Sequence, residues 1–258
     1  MRAFSLAVLL AGVASAQAPA TGDVAALEGQ LSDPNPAVRL AAADGLGRLS
    51  ARGSSAKVAA LAASDPDVHV RQSAADALGF MGGDAAVPAL VGALKDSAPG
   101  VRFAAVRSLG SLRASAGVAP LSALLRDPDA SLRRTAAAAL HQIGDKAAVP
   151  ALRAALNDSD EGVRLEAAGA LARLGDSSGL PGALSGLTSK EASSRRRAAI
   201  AASLSGDASA LPALDAAFAA EKDKATKAAI DEARVSLRAK STPNKKAPAP
   251  SGKDKTSP

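Results

Sequence analysis

Small apolar residues recur at helical spacing along most of this chain, between short polar stretches. The pattern is clearest in two stripes, Val70, Ala74, Leu78, Met81 and Val163, Ala167, Leu171, Leu174. Spacings of three and four residues bring such side chains onto one face only in a helix. Alanine dominates these faces, and its small side chain lets neighbouring helices approach closely. The pattern therefore predicts stacked helices rather than one large globular core.

The helical pattern returns at a fixed interval. An arginine opens each apolar stripe, and successive members of the series lie 31 or 32 residues apart: Arg39, Arg71, Arg102, Arg133, Arg164 and Arg195. A period of this length is typical of stacked repeats in which each unit is one helical hairpin. Residues 127–156 show a whole unit, and the chain restates it about six times.

Turn residues mark the helix ends within each unit. Asp-Pro-Asp at 65–67 and 127–129 predicts the start of the first helix, with the leading Asp as its cap and Pro in its first turn. Glycines that can adopt a left-handed conformation predict the end of that helix at Gly82, Gly144, Gly175 and Gly206. Candidate caps of the second helix follow at Asp84, Asp145, Asp176 and Asp207. Prolines lie early in the second helix, at Pro88, Pro120, Pro150, Pro181 and Pro212.

Single helices are predicted to cover both ends of a repeat array that spans residues 33–220. Residues 19–32 form the N-terminal cap, whose apolar face consists of Val24, Leu27 and Leu31. Residues 221–240 form the C-terminal cap, whose apolar face consists of Ala225, Ala229, Ala233 and Leu237. Such caps keep the outer faces of terminal repeats from water.

Residues 1–18 have the features of a secretory signal peptide. Met1-Arg2 precedes the apolar run Ala3–Val13, and small residues suited to cleavage follow at 14–18. A membrane anchor is the alternative, but the run is shorter than the ~20 residues that a spanning helix needs. We therefore expect an exported protein, periplasmic or secreted. The sequence contains no cysteine, so helix packing rather than disulfides must stabilise it.

The net charge of +6 is a property of the C-terminal end. Without the residues from Arg238 onward and without Arg2, the chain holds equal numbers of basic and acidic residues. A neutral body lacks the basic surface of a duplex-binding protein, so nucleic acid is a disfavoured partner. Residues 241–258 are rich in Pro, Ser and Lys without apolar periodicity, which predicts a disordered basic tail.

The repeated elements resemble those of a known family. Asp-Pro-Asp, Val-Arg, Ala-Ala, Ala-Leu-Gly and Val-Pro-Ala-Leu, taken in this order, are similar to HEAT-like repeats, including those of bacterial phycobilisome-lyase-type proteins. The resemblance implies an all-α fold, a right-handed α-solenoid of about six HEAT-like hairpins with helical caps. It also implies that the second helices line a concave, partner-facing side. It implies no particular reaction.

The acidic and arginine residues that recur in each unit admit two interpretations. These residues are Asp65, Arg71, Asp96, Arg102, Asp127, Arg133, Asp158 and Arg164. They could form a charged binding stripe. The favoured interpretation is structural, with each arginine bridging to the acidic opening of its own or the neighbouring repeat.

No arrangement typical of catalysis, cofactor binding or metal binding is evident. His69 and His141 are the only histidines, and they lie in different units with no companion at ligand spacing. His141 replaces the glycine found at Gly47, Gly79 and Gly110, which suggests a local protrusion on the surface. We therefore expect a protein that is not an enzyme and needs no cofactor.

The sequence instead favours a scaffold that binds a protein or peptide partner. Lys95, Arg126 and Arg153 could form a basic row on the second helices, although a solvated surface is the simpler interpretation. Arg195, Arg196, Arg197 and the basic tail could contact anionic material. The alternative function is a lyase- or chaperone-like accessory that handles a small molecule or a cofactor-bearing protein. Against it, Phe80, Phe103 and Phe218 are the only aromatic residues other than histidine beyond residue 18.

Overall fold

A computed structural model describes residues 23–241, which form a row of helical pairs and contain no strand. The chain opens with α1 (Val24–Gln30). The first helices of the pairs are α2 (Pro36–Arg48), α4 (Val68–Met81), α6 (Pro99–Ser111), α8 (Ala130–Ile143), α10 (Glu161–Arg173) and α12 (Ala192–Leu204). The second helices are α3 (Ser55–Ser64), α5 (Ala86–Ala93), α7 (Val118–Leu124), α9 (Val149–Ala155), α11 (Leu180–Gly186) and α13 (Leu211–Ala220). The described chain ends with α14 (Lys224–Ser241).

Short 3-10 turns lead into all the second helices except α5. They span Arg52–Ser54, Ser115–Gly117, Lys146–Ala148, Ser177–Gly179 and Ala208–Ala210.

The first helices form one continuous layer. Each packs against the first helix of the next pair, from α2 through to α14, and each second helix also packs on the first helix of the next pair. Only α5 and α11 pack substantially on the first helix of their own pair as well. At one place in this layer the sixth repeat buries Ala202 and each of the first five buries a leucine: Leu46, Leu78, Leu109, Leu140 and Leu171. Burial of such a side chain stabilises the fold by roughly 1.5–3 kcal/mol. The expected all-α solenoid of helical hairpins is confirmed, and the stacking of neighbours replaces a central core.

Glycine allows the first helices to approach within backbone contact. A Cβ atom added to Gly47 of α2 would lie 2.9 Å from both Cα and Cβ of Ala77 in α4. That distance is shorter than normal van der Waals contact, so a larger residue would push the two helices apart.

The N-terminal caps of the first helices lie two residues later than predicted. Asp67 caps α4 by accepting hydrogen bonds from the backbone N–H groups of His69 and Val70, at 2.8 and 3.2 Å. The leading residue, Asp65, accepts instead from the N–H of Asp67, and its carboxylate also pairs with Arg39. Pro66 therefore precedes α4 rather than lying in its first turn. The same shift applies to Asp127, Pro128 and Asp129 at α8.

The predicted glycines at the ends of the first helices do have left-handed backbones. Gly82, Gly144, Gly175 and Gly206 have φ angles of 63°, 71°, 80° and 69°. The corresponding residues of the first and third repeats are Ser50 and Arg113, with φ angles of 50° and 49°. The same turn therefore forms with or without glycine, at a conformational cost for the two L side chains.

Three of the four predicted caps of the second helices make the expected bond. Asp145, Asp176 and Asp207 each accept a hydrogen bond from the backbone N–H two residues further on. Asp84 makes no capping bond within the described chain, because Gly83 lengthens that turn and α5 begins without a side-chain cap.

The N-terminal cap covers the array with two residues rather than three. Leu27 and Leu31 of the α1 segment are buried against α2, as expected. Val24 is 38 % exposed, so its assignment to the buried face was wrong. Residues 19–22 of the predicted cap lie outside the described residues.

The C-terminal cap α14 buries a different face from the one expected. Thr226, Ile230, Ala233 and Leu237 are buried, whereas Ala225 is exposed and Ala229 only partly buried. Two cations of α14 also lie against the ring of Phe218 in α13. The Lys227 ammonium lies 4.8 Å and the Arg234 guanidinium 4.3 Å from its centroid.

The predicted signal peptide, residues 1–18, and the predicted tail from residue 242 onward lie outside the described residues. Ser241 is the last residue of α14. Within residues 23–241, no helix combines the length and the hydropathy that crossing a membrane requires.

Candidate binding surface

Arginines connect consecutive repeats through bidentate ion pairs. The Nε and Nη2 atoms of Arg133 each lie 2.8 Å from a carboxylate oxygen of Asp158, which opens the next repeat. The Nη1 atom donates to the carbonyl of Asp127 in its own repeat, at 2.8 Å. The same arrangement occurs at Arg39–Asp65, Arg71–Asp96 and Arg195–Glu221. We call these four pairs the arginine ladder, and they span neighbouring repeats rather than one.

Two arginines of the series do not complete the arginine ladder. Arg102 donates to the carbonyls of Asp96 and Ser97, at 2.9 and 3.1 Å, and makes no ion pair with Asp127. Arg164 likewise bonds only to carbonyls of its own repeat, because Ser189 stands where the next repeat needs an acid. The junctions between the third and fourth repeats and between the fifth and sixth therefore lack this bridge.

The carboxylates of the arginine ladder are held in the ionised form. Hydrogen bonds from the Arg133 guanidinium keep the pKa of Asp158 below its ordinary value. Hydrogen bonds from Arg195 lower the pKa of Glu221 to about 2. Acids that stay ionised and fully bonded are poorly suited to general acid or base catalysis. The ladder is therefore a structural feature of the array.

The second helices leave grooves between consecutive repeats. One of these grooves has a volume of about 640 Å³ and lies between α11 and α13. Its wall is mostly apolar, with Leu184 and Leu187 on one side and Ala213, Ala216 and Ala217 on the other. The bonded pair Arg195–Glu221 closes one end. We call this the α11–α13 groove.

Smaller grooves lie at two equivalent positions. One, of about 460 Å³ between α3 and α5, carries Lys95 at its edge. Another, of about 210 Å³ between α7 and α9, carries Arg126 at its edge. The repeated geometry gives this surface several places where a side chain of another molecule could insert.

The first-helix surface has a cleft that the sequence pattern did not reveal. It has a volume of about 550 Å³ and lies among α6, α8 and α10. His141 lines it and is partly buried, so the expectation of a surface protrusion was wrong. Burial and the nearby Arg173 lower the pKa of His141. Two features of the sequence could have indicated this cleft. His141 stands where the first three repeats have glycine, and Glu166, in the next repeat, stands where the second and third repeats have Ser73 and Ala104.

The repeat pattern decides the family. A profile described as HEAT repeats matches residues 24–110, 56–138, 87–172, 118–205 and 154–233, which together cover most of the chain. The chain belongs to the HEAT repeat family. No curated protein matches it closely enough to count as a relative.

Solved structures similar to this HEAT-repeat chain include natural and engineered proteins. YibA of E. coli matches with a TM-score of 0.58 and 23% identity, over 83% of this chain and 81% of that one. The complex of CpcE and CpcF of phycocyanin lyase from Nostoc sp. PCC7120 matches with a TM-score of 0.58 and 22% identity, over 83% and 94%. An engineered protein matches with a TM-score of 0.55 and 22% identity, over 84% and 68%. At these identities the likeness concerns the fold alone.

The predicted basic residues have different surroundings in this HEAT-repeat array. Lys95 and Arg126 are exposed at the edges of two grooves, Lys95 on the side of α5 and Arg126 on the side of α7. Arg153 does not extend this row as a free cation, because its Nη2 atom lies 2.6 Å from Asp176. Of the three consecutive arginines, Arg195 belongs to the ladder, Arg196 is exposed, and Arg197 lies 3.0 Å from Glu166.

Metal ligands do not converge in the part of the HEAT-repeat chain that the structure describes. No group of three or more His, Asp or Glu side chains between residues 23 and 241 is placed to hold an ion.

Proposed function

We propose that this HEAT-repeat array is a scaffold that binds a segment of a protein partner on its second-helix surface. The α11–α13 groove is its main contact. The observation that supports this proposal is an apolar groove of about 640 Å³ on a fold that is otherwise closely packed. Interfaces of this kind receive an apolar face of a helix or an extended peptide.

The chemistry of the α11–α13 groove favours an apolar segment over a charged one. Leu184, Ala213 and Ala217 line its length, and they offer contact area without hydrogen-bond donors. Arg195 and Glu221 at its end already bond to each other, at 2.6 and 2.9 Å. A charged ligand would have to displace that pair, whereas an apolar side chain only has to displace water.

We also propose that the protein is not an enzyme. Four of the recurring acids, Asp65, Asp96, Asp158 and Glu221, are bonded to arginine, and their role in joining repeats accounts for their positions. A scaffold needs no reacting group, only a surface that a partner can recognise.

A charge placed in the α11–α13 groove tests the proposal. Ala216 is exposed and lines the groove, so Ala216→Glu introduces a carboxylate without disturbing the core. Ala219→Glu is the matched control, because Ala219 is exposed on the same helix outside the lining of the groove. Affinity capture from the producing cells, quantified by mass spectrometry, compares the partners of the three proteins. We expect a defined protein to be retained by the wild type and Ala219→Glu and depleted about tenfold or more with Ala216→Glu. An unchanged set of partners in Ala216→Glu contradicts the proposal.

A lyase- or chaperone-like accessory role is the second candidate. The volume of the α11–α13 groove is within the range of small-molecule sites, about 300–1,000 Å³. The similar structure of the CpcE and CpcF complex is described as that of a phycocyanin lyase. Native mass spectrometry and absorption spectra of the purified chain separate the two roles. A co-purifying chromophore or metabolite that Ala216→Glu releases favours the accessory role.

We further propose that residues 1–18 direct export to the periplasm or the medium and that the basic tail from residue 241 contacts anionic material. The charge and apolar pattern of residues 1–18 supports the first part, and the lysines of the tail support the second. Cell fractionation with N-terminal sequencing tests the export. Co-sedimentation with vesicles containing anionic lipid, with and without residues 242–258, tests the tail. A full-length product in the cytoplasm contradicts the proposed export. Sedimentation that does not depend on residues 242–258 contradicts the proposed role of the tail.

A further inference from the structure

The cleft on the first-helix surface is the most polar cavity of substantial size on this array. It has a volume of about 550 Å³ and lies on the opposite layer from the α11–α13 groove. Its side chains include Ser111 and Arg113 after α6, His141 and Gln142 on α8, and Glu166 and Arg173 on α10. We call it the His141 cleft.

The cleft lies at a local exception to the repeat pattern. In the first three repeats this position is a glycine, and Gly47 lets the next first helix approach at Ala77. His141 occupies that position in the fourth repeat. Opposite it, α10 presents Gly169, where an added Cβ atom would lie 3.8 Å from the imidazole ring. The imidazole therefore faces a glycine of α10, whereas Gly47 lies against the backbone of Ala77.

The charges around the cleft are not balanced. Arg113 and Arg173 are exposed at its rim, and within residues 23–241 neither makes a hydrogen bond through its side chain or an ion pair. The one carboxylate, Glu166, lies 3.0 Å from Nε of Arg197, which offsets its charge. Two unpaired guanidinium groups beside a polar cavity leave a net positive potential there.

We propose that the His141 cleft binds a small anion that carries a carboxylate or phosphate group. Arg113 and Arg173 hold the anionic group, because guanidinium groups match the geometry of both anions. Gln142 and His141 donate hydrogen bonds from the wall. This site is independent of the protein partner proposed for the second-helix surface.

The state of His141 agrees with this assignment. Burial in the cleft and the Arg173 charge lower the pKa of His141 and so favour the neutral imidazole. A bound anion favours the imidazolium form and therefore raises the pKa of His141. The other charged groups facing the cleft are Arg113 and Glu166, and Arg197 bonds to Glu166 from α12.

The two histidines of the chain allow a direct test by NMR. The imidazole C–H resonances of the full chain are followed during titration with inorganic phosphate and, separately, with succinate. His69 is exposed near the start of α4 and serves as the internal control. We expect a saturable shift of His141, a rise in its pKa with the anion bound, and no change at His69. Phosphate and succinate distinguish the two anion classes, and saturation by either one supports the proposal.

Charge variants distinguish the cleft from general attraction to a basic protein. The double variant Arg113→Gln/Arg173→Gln should weaken the anion affinity about tenfold or more, because charge-assisted hydrogen bonds are lost. Arg52→Gln/Lys190→Gln is the matched control, since it removes the same charge at exposed sites outside the cleft. Glu166→Gln should strengthen binding, because it removes the like charge and frees Arg197. A shift that does not saturate, that affects both histidines equally, or that survives loss of both cleft arginines overturns the proposal.

Discussion

Arg133 joins the fourth repeat to the fifth through two hydrogen bonds of 2.8 Å to the carboxylate of Asp158. One repeat earlier, Arg102 and Asp127 occupy the same places and do not pair. The carboxylates of Asp158 and Asp127 otherwise make the same bond, each to the backbone N–H two residues further on. The two acids therefore differ mainly in whether an arginine of the preceding repeat reaches them.

Asp158→Asn should destabilise the array more than Asp127→Asn does. The change at 158 leaves Arg133, whose side chain is only 12% exposed, without its carboxylate. We expect a loss of about 2 kcal/mol, below the range for fully buried pairs because Arg133 keeps its bond to a carbonyl. Asp127→Asn should cost less than about 1 kcal/mol, since asparagine can still accept from the backbone N–H. Urea unfolding of both variants measures the difference, and equal losses would refute a stabilising role for the ladder.

The ladder predicts a loss of stability in acid. The pKa of Glu221 falls from 4.5 to about 2 in the folded chain, chiefly because Arg195 donates hydrogen bonds to it. A group whose pKa is lowered by folding stabilises the fold above its unfolded pKa, and that contribution is lost as the pH falls through the folded value. Unfolding followed by circular dichroism should therefore show stability falling between about pH 4.5 and 2.

Glu221→Gln should lower the stability at neutral pH and make this acid slope shallower. Glu232→Gln, at an exposed position on α14, is the control and should leave the profile as in the wild type. A Glu221→Gln profile with the wild-type slope would show that other acids govern the transition.

Ser50→Gly should stabilise the protein. Ser50 has a left-handed backbone with φ of 50°, at the place where other repeats have glycine. Glycine adopts this conformation without the steric penalty of a Cβ atom, so we expect a gain of about 0.5–1 kcal/mol in the free energy of unfolding. The reverse change, Gly144→Ala, should lose about 1 kcal/mol, because Gly144 has φ of 71° although its surroundings are open. Thermal unfolding measures both, and shifts of the same sign would disprove the argument.

Gly47→Ala should destabilise the array although alanine favours helices. The new Cβ atom would lie 2.9 Å from the backbone of Ala77, so α2 and α4 must move apart, at a cost of about 1–3 kcal/mol. Gly182 in α11 is the matched control, because a Cβ atom there meets nothing within 4 Å. Gly182→Ala should be neutral or stabilise by up to about 1 kcal/mol. Chemical denaturation measures the free energy of unfolding of both variants. A Gly47→Ala variant as stable as the wild type would show that α2 and α4 can move apart without cost.

The sequence alone predicted the structural features that are determined within a single repeat unit. The stripe Val70, Ala74, Leu78 and Met81 is buried as expected, because helical periodicity determines which side chains share a face. The turn at Gly144 was equally clear, since only a residue tolerant of positive φ suits it. Both are local properties, and the chain repeats them often enough to remove ambiguity.

Features that depend on two neighbouring repeats were not predictable in the same way. The partner of Arg133 lies 25 residues ahead, and nothing in the pattern distinguishes this arginine from the unpaired Arg102. The packing of α14 includes Phe218, whose ring lies under Arg234 from a different helix. The His141 cleft likewise requires knowledge of which residue of α10 faces the imidazole.

The two gaps in the arginine ladder have a mechanical consequence. Neither the junction at Arg102 nor the junction at Arg164 has a bidentate pair of the ladder, although Arg197 and Glu166 form a single ion pair across the second. Bidentate ion pairs fix orientation at the junctions that have them. The superhelix should therefore behave as short stiff segments linked by two more compliant joints. Flexing at the second joint, between the fifth and sixth repeats, would widen or narrow the α11–α13 groove.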